Sequence, residues 1–152
     1  MAVNQDTYDD YMAKGYPGMV VNGETSNRPS RSVEDAGGIA FGKAVFRGTG
    51  DHGVTATPAS GVGNFIGIAA AHEALGILAG QTADVYPQYE NIALLSAGVI
   101  YVTAGASVAD GEQVYVTSAG AFTNVSTSNT ILTGWFFDET VASGALVKIA
   151  RR

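Results

Sequence analysis

The chain contains no cysteine, which excludes a disulfide framework, a thiolate nucleophile and a thiolate metal site. It is also poor in charge: 14% of its 152 residues are Asp, Glu, Lys or Arg, against roughly 25% in an average soluble domain. No apolar run approaches the roughly 18 residues that a membrane-spanning helix needs. Met1-Ala2-Val3-Asn4-Gln5-Asp6 carries neither a basic n-region nor an apolar h-region, so no secretory leader is expected. An outer-membrane barrel is not expected either, because the chain closes on Arg151-Arg152 rather than on an apolar strand. With 14 acids and 8 bases the net charge is −6, and Arg151-Arg152 is the only adjacent basic pair. No basic stripe exists to neutralise phosphates, which disfavours direct nucleic-acid binding.

What takes the place of charge is small and apolar. Hydrophobic residues make up 46% of the chain, and there are 20 glycines but 4 prolines. The length suits one domain, or a domain with an arm. A chain of this size buries about 68–70% of its unfolded surface, enough for a core without a metal or disulfide staple.

The composition shifts near residue 37. Residues 1–37 hold nine of the 22 charges and three tyrosines, Tyr8, Tyr11 and Tyr16. Pro17-Gly18 and Arg28-Pro29 interrupt any periodicity there. Thr7 to Met12 suits one helical turn capped by Thr7, and Met19-Val20-Val21 is the only strand-like run. This region reads as an extended N-terminal arm. Its aromatic residues point to docking, since free polar termini seldom carry them.

From residue 38 to 152 the pattern is strand and turn. Residues 38–46 alternate Ile39, Phe41, Lys43, Val45 against Ala40, Gly42, Ala44, Phe46. Residues 64–70, 113–117, 121–125, 131–137 and 145–150 read as further strands. Residues 91–103 form a long apolar run in which Gly98 marks a bend or bulge. Ser118-Ala119-Gly120 links two strands as a hairpin. The fold class expected is all-β, a compact β-barrel or sandwich-like body behind the arm. Residues 69–79 are the one helix candidate, weakened by Gly76 and Gly80.

Sites for chemistry are sparse. Asp51-His52 and His72-Glu73 lack the spacing that places metal ligands on one face, so no metal site is expected. Serine is plentiful, but no Gly-x-Ser-x-Gly elbow is present. The acids Asp51, Asp110, Glu112, Asp138 and Glu139 fall in turns, where they serve turn geometry and solvation. Gly61-Val62-Gly63-Asn64-Phe65-Ile66-Gly67 has the wrong glycine spacing for a dinucleotide loop and precedes a strand. Gly48-Thr49-Gly50-Asp51 reads as a turn. Asn124-Val125-Ser126 is a glycosylation sequon without a secretory context. No catalytic residue and no cofactor is expected. Trp135-Phe136-Phe137 places Trp135 and Phe137 on one strand face and Phe136 on the other, which suits a sandwiched strand or a subunit interface.

Beyond the arm, thirteen charges remain over 115 residues, about 11%. A soluble monomer keeps charge at its surface, whereas interface cores are depleted of it. The body is therefore read as a structural protein whose surface is covered by partners.

Several stretches, in their order and spacing, resemble the capsid cement (head decoration) proteins of tailed bacteriophages. They are Ala13-Lys14-Gly15-Tyr16-Pro17-Gly18-Met19-Val20, Gly38-Ile39-Ala40-Phe41-Gly42-Lys43-Ala44-Val45 and Asn64-Phe65-Ile66-Gly67-Ile68-Ala69. Tyr86-Pro87, Val99-Ile100-Tyr101-Val102, Gly111-Glu112-Gln113-Val114-Tyr115-Val116, Gly134-Trp135 and Ala145-Leu146-Val147-Lys148-Ile149 follow. The resemblance implies a homotrimer on the outer surface of a phage head, made in the host cytoplasm, with the major capsid protein as partner. No membrane partner and no catalytic residues follow from it. The interface residues expected are Tyr8, Tyr11, Tyr16, Pro17, Met19, Val20, Val21 and Trp135, with Met19 to Val21 adding to a neighbour's sheet edge. A tail or baseplate β-protein has the same composition. A carbohydrate-binding β-domain would present Trp135 or Tyr101 as an open platform, and an enzyme would centre on Asp51-His52.

Overall fold

The computed structural model describes residues 14–61, 63–72 and 82–152. Among these, no helix forms. The strands are β1 (Ser30–Val33), β2 (Ile39–Ala40), β3 (Ala44–Arg47), β4 (Gly53–Thr55), β5 (Phe65–Ala69) and β6 (Val85–Tyr86). They continue as β7 (Asn91–Leu95), β8 (Gly98–Thr103), β9 (Gln113–Val116), β10 (Phe122–Thr123), β11 (Thr130–Phe137) and β12 (Leu146–Arg151). The all-β expectation holds. Five strands close a barrel in the order β1-β4-β3-β5-β7, and five more form a sheet in the order β10-β9-β11-β12-β8. The edges of that second sheet also meet. Ala104, just past β8, bridges Phe122 of β10, and Gly105 N–H donates to Phe122 O at 2.7 Å. β2 and β6 pair separately, Ile39 opposite Tyr86.

The two sheets share a wall. Side chains alternate across a strand, and in β3, β5 and β7 both faces are buried. Val45, Ala69, Ile92 and Leu94 join Val33, Ile39, Val54 and Tyr86 in one core. Ala44, Phe46, Ile68 and Leu95 point the other way, into a second core with Ile100, Val102, Val114, Leu132, Trp135, Phe137, Val147 and Ile149. A strand covered on both faces needs an apolar residue at every covered position, which is why, after the exposed Asn91, 92–95 reads Ile-Ala-Leu-Leu without alternation. At Gly98 (φ +124°) the chain leaves this wall for the second sheet, as the bend signal in the long apolar run indicated.

The single strand expected over 38–46 is divided in two by a turn at Phe41-Gly42. The larger difference concerns the arm. A boundary at residue 37 cuts through the barrel, because β1 lies inside it. β1 pairs in parallel with β4 (Ser32 opposite Gly53) and antiparallel with β7 (Arg31 opposite Ile92). Its sequence, Ser-Arg-Ser-Val, offers one apolar side chain, so its place is set by backbone pairing on both flanks rather than by periodicity. The helical turn expected over 7–12 and most of the helix candidate at 69–79 lie outside the described residues; Ala69 itself ends β5.

β11 carries a large bulge. Its pairing with β9 runs Thr130–Val116 and Ile131–Tyr115, then resumes at Phe136–Gln113. Leu132 to Trp135 thus face Val114 alone, and Gly134 (φ +81°) supplies the backbone conformation that the bulge needs. The displaced carbonyls are gathered by one side chain: Gln113 Nε2 lies at 2.9 Å from Leu132 O, 2.8 Å from Trp135 O and 3.0 Å from Val114 O. The bulge resets the phase of β11, so that Leu132, Trp135 and Phe137 all face inward.

Two outcomes follow. Gln113→Leu removes the donor from these carbonyls and lowers stability by about 1–3 kcal/mol, read as a lower urea midpoint at unchanged slope. Deleting residues 1–37 removes a barrel strand, so the truncated chain is expected to lose its cooperative thermal transition in calorimetry.

Candidate interface surfaces

Residues 14–27 form a strap along the free edge of β8. Gly18 N–H donates to Tyr101 O at 2.8 Å, Tyr101 N–H to Met19 O at 3.0 Å and Val21 N–H to Val99 O at 3.0 Å. Val20 bridges Ile100, and Asn27 bridges Ala97. The edge that Met19 to Val21 was expected to find on a neighbour is therefore occupied on the chain's own body. Met19, Val20 and Val21 are half-buried there, Val20 against the larger core. Tyr16 and Pro17 remain exposed. Tyr8 and Tyr11 lie outside the described residues.

Ion pairs clip the strap down. Arg152 donates to Glu24 at 3.1 and 3.3 Å and to Asp138 at 3.2 Å through both terminal nitrogens. Bonding to Asp138 and Glu24 raises the guanidinium's proton affinity further above its ordinary value. Lys14 pairs with Glu139. Isolated exposed pairs contribute little to stability, so their joint role is to fix where the strap lies.

The glycine-rich segment 48–53 does hold an anion, and the anion is internal. The Glu34 carboxylate accepts from Thr49 N–H at 2.8 Å, Gly50 N–H at 2.7 Å and the Thr49 hydroxyl at 3.0 Å. A Cβ on Gly48 or Gly53 would stand 2.3 or 1.6 Å from a Glu34 oxygen, so these glycines make room for the carboxylate. The backbone bonds from Thr49 and Gly50 hold the Glu34 carboxyl below its ordinary value of 4.5. Asp35 accepts from the Thr55 hydroxyl at 2.6 Å and from Ala56 N–H at 2.7 Å. The two acids staple the β3–β4 hairpin to the end of β1. His52 lies on the hairpin's exposed tip. Among the described residues no group of three or more His, Asp or Glu is placed to hold a metal ion.

The tryptophan named as an interface residue is a core residue. Trp135 is 0% exposed, and Tyr101 is covered as well, so neither offers a sugar-stacking platform. The outward residues of β11 are instead Ile131 and Phe136, 47% and 45% exposed. Ile131 sits opposite Tyr115 of β9. Beside it lies a groove of about 920 Å³ lined by Pro58, Ala59, Phe65, Ile131, Thr133 and Arg151 among others. Ser60, Ser118, Ser128, Asn129 and Thr130 also line it, so the groove mixes apolar and small polar side chains with Arg151 as its one charge.

The sequence matches, over residues 4–152, the model of a family described as structural cement protein (E217 gp24/Pam3 gp6). The chain belongs to the phage structural cement protein family. It is thus a structural protein of a bacteriophage capsid. A search of the curated proteins finds no match. Among solved structures, a chain from "The capsid of Myoviridae Phage XM1" superimposes with a TM-score of 0.67 at 18% identity, covering 99% of this chain and 97% of that one. At that identity the likeness is one of fold.

Sequence reasoning missed the outward role of Ile131 and Phe136, although the alternation around Phe136 was the available signal. It also missed Glu34, which sits fourteen residues before its loop with no motif to join them. Because the Glu34 carboxyl is held below its ordinary value, its contribution is full above the ordinary carboxylate range and is lost as pH falls through the folded value. Glu34→Gln is therefore expected to melt below the parent protein at neutral pH. Thermal melts across acid pH should show that difference closing as the parent's carboxylate takes up its proton.

Proposed function

We propose that this cement protein binds the outer surface of a phage head as a homotrimer and clamps neighbouring major capsid protein subunits. The observation that carries this reading is the family match, which spans strap and body together. The physical features agree with it. A protein that binds the assembled shell and not free subunits stabilises the shell by mass action. Three copies joined in one trimer raise one another's effective concentration at the surface. Tyr16 and Pro17 on the strap are exposed for contact, with Tyr8 and Tyr11 proposed as further anchors. Ile131 and Phe136 supply uncovered apolar surface on the body, as Tyr89 and Val125 do elsewhere.

The deciding experiment mixes the purified protein with expanded heads that lack it, then measures cosedimentation and the heads' thermal stability. Binding with raised stability supports the clamp, and absence of binding overturns it. Sedimentation of the free protein reads the trimer. In the same assays Ile131→Ser and Phe136→Ser are each expected to weaken either trimer or head association roughly ten- to a hundredfold, the scale of about 1.5–3 kcal/mol for a buried apolar side chain. The free full-length protein should keep its melting temperature, because both side chains face outward.

A further inference from the structure

The strap turns at Asn22-Gly23-Glu24, the one place in the sequence where glycine follows asparagine. All three residues are exposed. The Asn22 side chain forms an Asx turn: its Oδ1 accepts from Glu24 N–H at 3.2 Å, and its Nδ2 donates to Glu24 Oε1 at 3.0 Å. Gly23 N–H donates to no group among the described residues. Apart from its two chain neighbours, nothing lies within 4 Å of the place a Cβ on Gly23 would take. The backbone nitrogen after Asn22 is therefore unengaged and unshielded. The Glu24 N–H meanwhile polarises the side-chain carbonyl of Asn22.

We infer that Asn22 is a spontaneous deamidation site built into the strap, and that its conversion loosens the strap's clip to the chain end. The Gly23 nitrogen gives its proton to solvent base and bonds to Asn22 Cγ. The Cγ–Nδ2 bond breaks, and Nδ2 leaves as ammonia after taking up a proton. Water then opens the five-membered imide at either carbonyl, leaving aspartate or isoaspartate at position 22. One water enters, one ammonia leaves, and nothing is oxidised or reduced.

The consequence follows from what Asn22 touches. The amide that donates to Glu24 becomes a carboxylate that repels it. Glu24 is one of the two acids that hold Arg152, so the new charge acts on the contact tying the strap to the end of β12. Isoaspartate also adds one atom to the main chain between two anchored points, the bridges at Val20 and Asn27. The inference rests on the strap's own geometry and stands whether or not the clamp on the phage head is correct.

The test incubates the full-length protein in warm, mildly alkaline buffer beside the free peptide Val21-Asn22-Gly23-Glu24-Thr25, with both followed by mass spectrometry. Asn22 is expected to convert at a rate similar to the peptide's, with isoaspartate among the products, while the other six asparagines stay intact over that interval. Gly23→Ala, which both the open space and the local backbone accommodate, is expected to keep its amide. If Asn22 stays amidated in the protein while the peptide converts, the turn protects it and the site is overturned. The clip is read separately on Asn22→Asp. Faster hydrogen exchange at the Val21 and Asn27 amides, with melting lowered by about 2–4 °C, supports the loosening. Exchange and melting equal to those of the parent overturn it.

Discussion

The structure depends on one constraint: β3, β5 and β7 are buried on both faces. The barrel core leans on one side of this wall, and the core shared with the second sheet leans on the other. The second sheet could not close its core alone, since it borrows Ala44, Phe46, Ile68 and Leu95 from three strands of the barrel. A polar substitution at Val45 or Leu95 would therefore leave an unsatisfied group inside one core or the other, with no solvent-facing side to turn toward.

The same wall recasts the scarcity of charge. Read from composition, 14% charge pointed to a surface covered by partners. Part of the shortage is internal, because strands with two buried faces have room for a charged side chain only at their ends, as at Arg47 of β3. The remainder lies outside, on the face of β11 where Ile131 and Phe136 stand. The charges that are present do positional work. Glu34 and Asp35 fasten the β3–β4 hairpin to β1, and Arg152 fastens the strap through Glu24 and Asp138. These residues are spread over the whole chain in sequence and meet only in the fold.

Legibility followed local signal. Strands with several apolar residues, such as β5, β8, β11 and β12, stood out from their neighbours. The bend at Gly98 and the hairpin through Gly120 were marked by glycine. β1 and β4 were not legible, because Ser30–Val33 and Gly53–Thr55 each bury one apolar side chain; β1 is held by ladder bonds from strands distant in sequence, and β4 by β1 on one flank and its hairpin partner β3 on the other. Placing β1 in an arm was the result. The expected interface residues divided for a related reason. Alternation separated Trp135 and Phe137 from Phe136 correctly, yet alternation does not say which face meets the core. The bulge at Gly134, with Gln113 beneath it, turns Trp135 inward.

The sequence by itself determined the all-β class, the absence of thiol chemistry, the bend at Gly98 and, through the order of its short stretches, the family. These are properties of composition and of residues close together along the chain. Only the tertiary structure decided that the strap lies on its own β8 edge, that the glycine loop is filled by Glu34, and that Phe136 rather than Trp135 faces outward. Each of those depends on partners far apart in sequence, brought together by backbone pairing and burial that no local pattern encodes.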